Sequence, residues 1–408
     1  MKIFLITRGS QGDVYPYLVV ADTLIKAGHT VTLSLPQVFE KEAITFGIPY
    51  VLQNYDDITA LLETTTNNRE LLTWMQRVTE QQFNEFIPIL ENHEVLVASN
   101  TEFAAPSIAE YCRKPFIRTA YAPLIPGRTI PPPVMPWPKP HPLIRPAFLW
   151  SMLNLGVNVL TLGIINRNRK ARGMVPIKDQ GEYAPAYADN FLMYSRFLGS
   201  TDPTWKYKWS IGGYCFNDIL PYNEQVYKKL LAFIRKDDKP ALFFTLGSCK
   251  MKKKDLFCAW LLDICHRQGY KFIIGAGWWK TGESLAGKGD FFLLDSFIPH
   301  NLVFPLCDGI MHHGGSGTTH SAGRAGKPQV VAPMLIDQHY WGQQVRELGI
   351  GPDYIRVSRI TKEHLEHTVV DLLSNPAYKQ NAAALGEKIR SENGVQALCN
   401  HIEGITLK

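Results

Sequence analysis

The 408-residue chain has no C-x-x-C pair, no P-loop lysine behind its glycine-rich segments, and no uninterrupted apolar run of about 18 residues. Seven scattered cysteines, an odd number without a pattern, point to a reducing compartment, to buried packing roles and hence to a cytoplasmic location. The short supply of long apolar runs argues against a membrane-spanning helix. Met1 to Ile6 is too short for a signal peptide and is broken by Arg8 and Gly9. Aromatic residues make up 11% but do not interleave with a basic patch, so no nucleic-acid module is signalled. Lys250-Met251-Lys252-Lys253-Lys254 reads as a solvated loop or helix start. What remains is a mildly basic chain of formal charge +6, 45% hydrophobic and 20% charged, as in soluble globular proteins. The length suits two or three domains, and the charge favours anionic partners such as nucleotides or lipid head groups.

Apolar periodicity predicts an α/β fold. Ile3 to Thr7 reads as a strand, Arg8 to Asp13 as a polar glycine-containing loop, and Leu18, Val19, Ala21, Leu24 and Ile25 as a helix ended by Gly28. Val31 to Leu35, Val95 to Ala98 and Phe116 to Ala120 continue a parallel sheet. Prolines then crowd residues 121 to 150, from Pro123 to Pro146, so a long surface excursion is expected there. Phe148 to Ile165 follows as an apolar helix, serving as core, pocket wall or membrane-facing surface. A second alternating pattern runs through Ala241 to Leu246, Leu256 to His266, Lys271 to Ile274 and Val330 to Pro333. Helical spacing returns from Asn381 to Ile402. Two doubly wound halves place a ligand site beyond the strand ends, in the cleft between them.

The segment His312-His313-Gly314-Gly315-Ser316-Gly317-Thr318-Thr319 joins an apolar run to a helix. A glycine-rich helix start offers free N–H groups and the positive end of the helix dipole, and the imidazoles and hydroxyls add donors. Those are parts for holding a diphosphate. The segment lacks the lysine of a P-loop and the glycine spacing of a dinucleotide fingerprint, so another phosphate-bearing ligand is implied.

Five motifs in order carry a family resemblance: Gly9-Ser10-Gln11-Gly12-Asp13-Val14-Tyr15-Pro16-Tyr17, Phe244-Thr245-Leu246-Gly247-Ser248, Phe297-Ile298-Pro299-His300, His312 to Thr319, and Asp337-Gln338-His339-Tyr340-Trp341-Gly342. Gly326-Lys327-Pro328-Gln329 lies between the last two. The chain resembles inverting nucleotide-sugar glycosyltransferases of the GT-B fold, in the branch of sterol glucosyltransferases and antibiotic glycosyltransferases. The resemblance implies two facing Rossmann-like domains: an acceptor-binding domain over 1–215, a linker over 216–238, and a nucleotide-sugar-binding domain over 239–385. A terminal helix of about 386–408 would pack back on the first. It implies transfer of a hexose, by default glucose, from a UDP- or dTDP-sugar to an acceptor hydroxyl, with no metal and no cofactor.

The resemblance also assigns roles. Asp13 is the candidate general base, against a plain helix-capping role. Ser10 and Gly12 stand beside it. His313 and Thr318 match diphosphate contacts, with Gly315, Ser316 and Gly317 offering backbone N–H groups. His312 is a possible contact or a core histidine. Ser248 supplies a second diphosphate contact or a plain turn. Asp337 and Gln338 match the pair that holds the sugar hydroxyls, and Asp337 alternatively caps the following helix. Phe297 stands where relatives set a ring, often Trp, against the nucleobase, and is otherwise core. Trp278, with Trp279, walls the donor site or packs.

The acceptor expected for an apolar first half is a lipophilic alcohol or phenol: a sterol, carotenoid, polyketide, flavonoid or lipid. No nucleic-acid partner is expected; peripheral contact with the inner face of the membrane is. Two alternatives stay open at this level: a non-catalytic partner subunit of glycosyltransferase type, and a nucleotide-sugar epimerase of the same fold.

Overall fold

The apolar runs become strands buried on both faces, as parallel sheets covered by helices require. The computed structural model describes residues 1–53, 68–135, 143–247, 254–275, 290–334, 337–356 and 359–405. The first sheet holds seven parallel strands: β1 (Lys2–Ile6), β2 (Thr30–Pro36), β3 (Tyr50–Gln53), β4 (Val95–Ser99), β5 (Phe116–Ala120), β6 (Asp189–Leu192) and β7 (Trp209–Ile211). Their order is β3-β2-β1-β4-β5-β6-β7, with Ile3 level with Val31 on one side and Val95 on the other. Side chains alternate along β1, so Ile3 and Leu5 join one core while Phe4 and Ile6 join the other.

The second sheet holds β8 (Ala241–Thr245), β9 (Lys271–Gly275), β10 (Phe291–Leu294), β11 (Gly309–His312) and β12 (Gln329–Val331), ordered β10-β9-β8-β11-β12. The strand order reverses between β1 and β4 and again between β8 and β11. At such reversals the connections leave to opposite faces, and a crevice opens beyond the strand ends. The Asp13 loop leaves β1 and the glycine loop leaves β11, so each half carries its motif at its own crevice.

Several boundaries differ from the sequence reading. The first helix is Gln11–Lys26 with Ser10 at its N-cap, so Asp13 lies in the first helical turn rather than in the loop or at the cap. The stretch read as a linker contains a helix, Glu224–Arg235, whose Leu230 is buried in the second half's core with Ala241 and Phe243. The terminal segment is two helices, Pro376–Arg390 and Gly394–Glu403, interrupted at Ser391 to Asn393. The second of these places Leu398, Cys399 and Ile402 in the first half's core. Pro146 opens a helix instead of prolonging the excursion, a position where its missing N–H costs nothing.

That helix, Pro146–Ala171, is by length and composition apolar enough to cross a membrane, although Ser151, Asn154 and Asn158 interrupt its apolar run. Asn166 exchanges hydrogen bonds with the Ile177 backbone, and Asn158 accepts one from the Gln180 N–H. Leu149, Trp150, Ile164 and Ile165 anchor one side of the helix in the first half. Lys250 to Lys253, Ser248, Trp278, Trp279 and part of the proline-rich stretch lie outside the described residues.

Candidate functional site

The site begins with a histidine that is structural. His312 ends β11 in full burial; its Nε2 meets Gln329 Oε1 at 2.8 Å and its Nδ1 accepts the Gly314 N–H at 3.0 Å. Both ring nitrogens are used inside the fold, which decides between core residue and phosphate contact in favour of the core. Gly314 has φ +92°, and a Cβ there would stand 2.5 Å from Val331 Cγ1 and 2.9 Å from the Gln338 carbonyl oxygen. Only glycine suits that backbone and that space. The turn delivers Gly315 as N-cap of the helix Ser316–Arg324. The N–H groups of Ser316, Gly317 and Thr318 fall in the first turn, where no carbonyl of the helix can accept them.

His313 sits beside that helix start, with its ring against Gly247 and Gly315. It is 9% exposed, and its Nδ1 has no hydrogen-bond partner among the described residues. Burial, reinforced by His312 and His300, pushes its pKa down to about 3, so the ring is neutral near pH 7. A neutral imidazole has one N–H to give, and an unsatisfied buried nitrogen is costly unless a ligand completes it. The Ser316 hydroxyl donates to the Tyr121 carbonyl at 3.0 Å, so its side chain ties the two halves together while its N–H stays at the helix start.

The opposing loop is a capping box. Ser10 donates to Asp13 Oδ2 through its N–H at 2.8 Å and its hydroxyl at 3.1 Å. Thr7 Oγ1 and the Tyr121 hydroxyl both donate to the Asp13 carbonyl, at 3.0 and 2.8 Å. Asp13 therefore does help to cap the helix, from its third residue, and these hydrogen bonds, with its own N–H donating to the Ser10 carbonyl at 2.9 Å, hold it in place. Gly12 faces the glycine loop: a Cβ on Gly317 would stand 3.9 Å from Gly12 Cα and 2.6 Å from the Tyr214 hydroxyl. The two loops meet across a gap that Gly317 keeps open.

Asp337 and Gln338 open the next helix, Gln338–Glu347. The Gln338 backbone lies against Gly314, and its Oε1 accepts the Met334 N–H at 2.7 Å. Asp337 occupies the N-cap position without a side-chain cap bond; its Oδ2 instead accepts Trp341 Nε1 at 2.9 Å. Phe297 meets Tyr15 edge to face, with ring centroids 5.8 Å apart, and packs on the first half's core as a contact between halves. Among the described residues no cluster of His, Cys, Asp or Glu could hold a metal ion.

In the first half a cavity of about 230 Å³ lies beyond β4, between the sheet and the helix Pro146–Ala171. Its apolar walls include Phe103, Leu124, Trp150, Leu153 and Val157, and its polar edge includes Arg118, Glu102 and Gln180. Arg8, which leads into the Asp13 loop, donates to the Thr101 carbonyl and pairs with Glu102, so cavity and loop are adjacent.

Residues 3–119 match the glycosyltransferase family 28 N-terminal domain, and residues 288–404 match the erythromycin biosynthesis protein CIII-like C-terminal domain. The glycotransferase of kitacinnamycin superposes with a TM-score of 0.72 at 16% identity, over 98% of each chain. The fold is the GT-B glycosyltransferase fold. A second GT-B structure, the spinosyn rhamnosyltransferase SpnG complexed with thymidine diphosphate, superposes with a TM-score of 0.66 at 15% identity, over 99% of this chain and all of that one. Among curated proteins, the sterol 3-beta-glucosyltransferase UGT80A2 of Arabidopsis thaliana is 26% identical over 97% of this chain, which spans 64% of that relative's length.

Within this GT-B frame, Asp13, His313, Gly315, Ser316, Gly317, Thr318, Asp337 and Gln338 gather at the facing crevices, and Phe297 packs between the halves. His312 belongs to the core. Tyr214 was missed by sequence reasoning. Its hydroxyl donates to the Gly12 carbonyl at 3.3 Å and approaches Gly317, while its ring stacks on His320 at 4.9 Å. The preceding Gly212-Gly213 marks a chain crossing, but nothing local shows that the next ring reaches both loops.

Asp337 gives a pH signature. Burial raises its carboxyl from 3.8 to about 6, against the lowering effect of the Trp341 hydrogen bond. The raised value means that the folded state holds the proton more tightly than the unfolded one. The associated stability is present below about pH 4 and is lost as pH rises through 6. Asp337→Asn is therefore expected to raise the stability of the ligand-free protein at pH 7.5 by about 2 kcal/mol, with the gap to wild type closing near pH 4. Thermal melts across that range check this; a constant gap would refute it.

Proposed function

We propose that this chain is an inverting glycosyltransferase moving a hexose from a UDP- or dTDP-sugar to a hydroxyl of a lipophilic acceptor. One observation carries the reading: the buried ring of His313 packs through its Nε2 edge on Gly315 at the start of the helix Ser316–Arg324, leaves its Nδ1 on the Gly247 side without a partner among the described residues, and lies across the cleft from the Asp13 turn. The acceptor oxygen forms the new bond to the anomeric carbon as its proton passes to the Asp13 carboxylate. The bond to the diphosphate oxygen breaks, and that oxygen leaves with the electron pair. The first-turn N–H groups and the neutral His313 steady the developing charge without a metal. Asp337 and Gln338 hold the sugar hydroxyls in line for attack from the opposite face.

The thymidine diphosphate bound to the spinosyn rhamnosyltransferase supports a pyrimidine diphosphate donor, and the sterol 3-beta-glucosyltransferase of Arabidopsis supports a sterol-like acceptor. The apolar cavity beyond β4 supports a hydrophobic acceptor body. A cytoplasmic location belongs to the same reading, supported by six described cysteines without a disulfide.

The test is transfer itself. With EDTA present, UDP-glucose and a dTDP-hexose are each offered sterol, flavonoid and polyketide alcohols, and released diphosphate is measured beside the glycoside. Acceptor-dependent release is expected. Isomerised donor without acceptor would indicate an epimerase instead.

A further inference from the structure

The helix Pro146–Ala171 has two apolar faces. Trp150, Leu153 and Val157 line the cavity on its inner side. About half a turn round the axis, Phe148, Met152, Leu155 and Val159 follow at spacings of four, three and four residues, which stacks them in one narrow stripe. They are 59, 51, 65 and 67% exposed. Gly156 and Gly163 flank the stripe, and nothing lies within 4 Å of where their Cβ atoms would stand. Leu143, before the helix, and Val175, after it, are exposed as well. A contiguous apolar strip on a surface helix marks a contact with something other than water.

The charge of the segment that carries the stripe favours an anionic partner, while the helices packed beside it, Asn68–Glu91 and Gln180–Tyr187, carry Glu80, Glu85 and Glu182. Between Glu110 and Asp179 the chain has eleven Lys and Arg residues and no Asp or Glu, while the whole chain has 43 basic and 37 acidic residues. Arg145 lies exposed at the N-terminal end of the stripe, and Arg167 and Lys170 at its C-terminal end. Long basic side chains at the ends of an apolar helical face reach phosphate groups while the face enters the acyl boundary.

We propose that the outer face of this helix docks on an anionic membrane surface. The helix lies in the interface plane, with Phe148, Met152, Leu155 and Val159 in the acyl boundary and Arg145, Arg167 and Lys170 at the phosphates. The cavity then lies directly behind the membrane-bound face. A lipophilic acceptor, on the function proposed above, passes to it from the bilayer without crossing water.

The test is flotation of the full chain with vesicles of phosphatidylcholine alone and of phosphatidylcholine with phosphatidylglycerol. Wild type is expected to float with the anionic vesicles, at least tenfold more than with neutral ones and less as salt rises. The double substitution Leu155→Glu, Val159→Glu, on side chains that support no core, is expected to cut flotation at least tenfold; Arg167→Glu, Lys170→Glu is expected to abolish the anionic preference. UDP and dTDP titration of the same variants reports whether the fold and donor site are intact. It also separates failure of docking from failure of the glycosyltransferase reading. No flotation of wild type, equal flotation on both vesicles, or unchanged flotation of the Leu155/Val159 variant would overturn the proposal. So would a concentration-dependent dimer that the same variant dissociates, which would make the stripe an interface between copies.

Discussion

Replacing His313 with alanine is expected to weaken binding of the donor diphosphate by about 10- to 100-fold while leaving the fold intact. The ring is already neutral and its Nδ1 already lacks a partner, so removing it costs the apo protein no hydrogen bond through that atom. What is lost is a donor to an anion in a site screened from water, where such bonds contribute about 1.5–3 kcal/mol. Calorimetric titration with UDP, dTDP and GDP, in the absence of metal, reads both the loss and the nucleobase preference. The neutral state also predicts that the ratio of wild-type to His313→Ala affinity stays flat from pH 8 to 5, because a group that titrates near 3 carries no charge to lose in that window, whatever the titration of the diphosphate and of Asp337 does to both proteins alike. Equal affinity of wild type and variant would remove His313 from the site. Absence of binding by wild type would favour a non-catalytic partner subunit.

The second large effect is expected at Asp13. Asp13→Asn should lower kcat by about 10²- to 10⁴-fold, the usual contribution of a positioned base, with donor affinity unchanged. The choice of asparagine matters because the wild-type carboxylate does two jobs. Its Oδ2 accepts two bonds from Ser10 at the start of the helix Gln11–Lys26, and an amide oxygen can accept them too. Alanine would remove the capping box as well, with a stability cost of about 1 kcal/mol that would blur the result. Single-turnover transfer with bound donor, beside a thermal melt, separates the two. A kcat within threefold of wild type would assign Asp13 to helix capping alone and move the search for the base elsewhere in the cleft.

The alternation of β1, the buried run of β4, the glycine that ends the first helix and the glycine loop of β11 were legible because each is written in a few neighbouring residues. A strand buried on both faces must be apolar throughout, and a helix start that binds an anion must shed side chains. The strands β3, β6 and β7 were not legible. Asp189-Asn190 opens β6 with polar residues, and Asn190 is fully buried only because its amide finds the Pro185, Ala188 and Lys208 carbonyls. Those bonds exist only after the chain has folded back on itself.

The same division runs through the site. Local sequence determined the turn geometry at Gly314, the helix start at Ser316 and the presence of an acid near the end of β1, since each depends on φ, on capping and on hydrogen bonds within a few residues. Tertiary structure alone decided that His312 is core and His313 is not, because burial and partners come from β12 and from Gly247. It alone brought Tyr214 between Gly12 and Gly317, tied Ser316 to Tyr121, and left one side of the helix Pro146–Ala171 facing outward. An apolar residue has no means of showing which of two sides will be covered; only the packing of distant elements, each burying its own surface, determines which side remains in water.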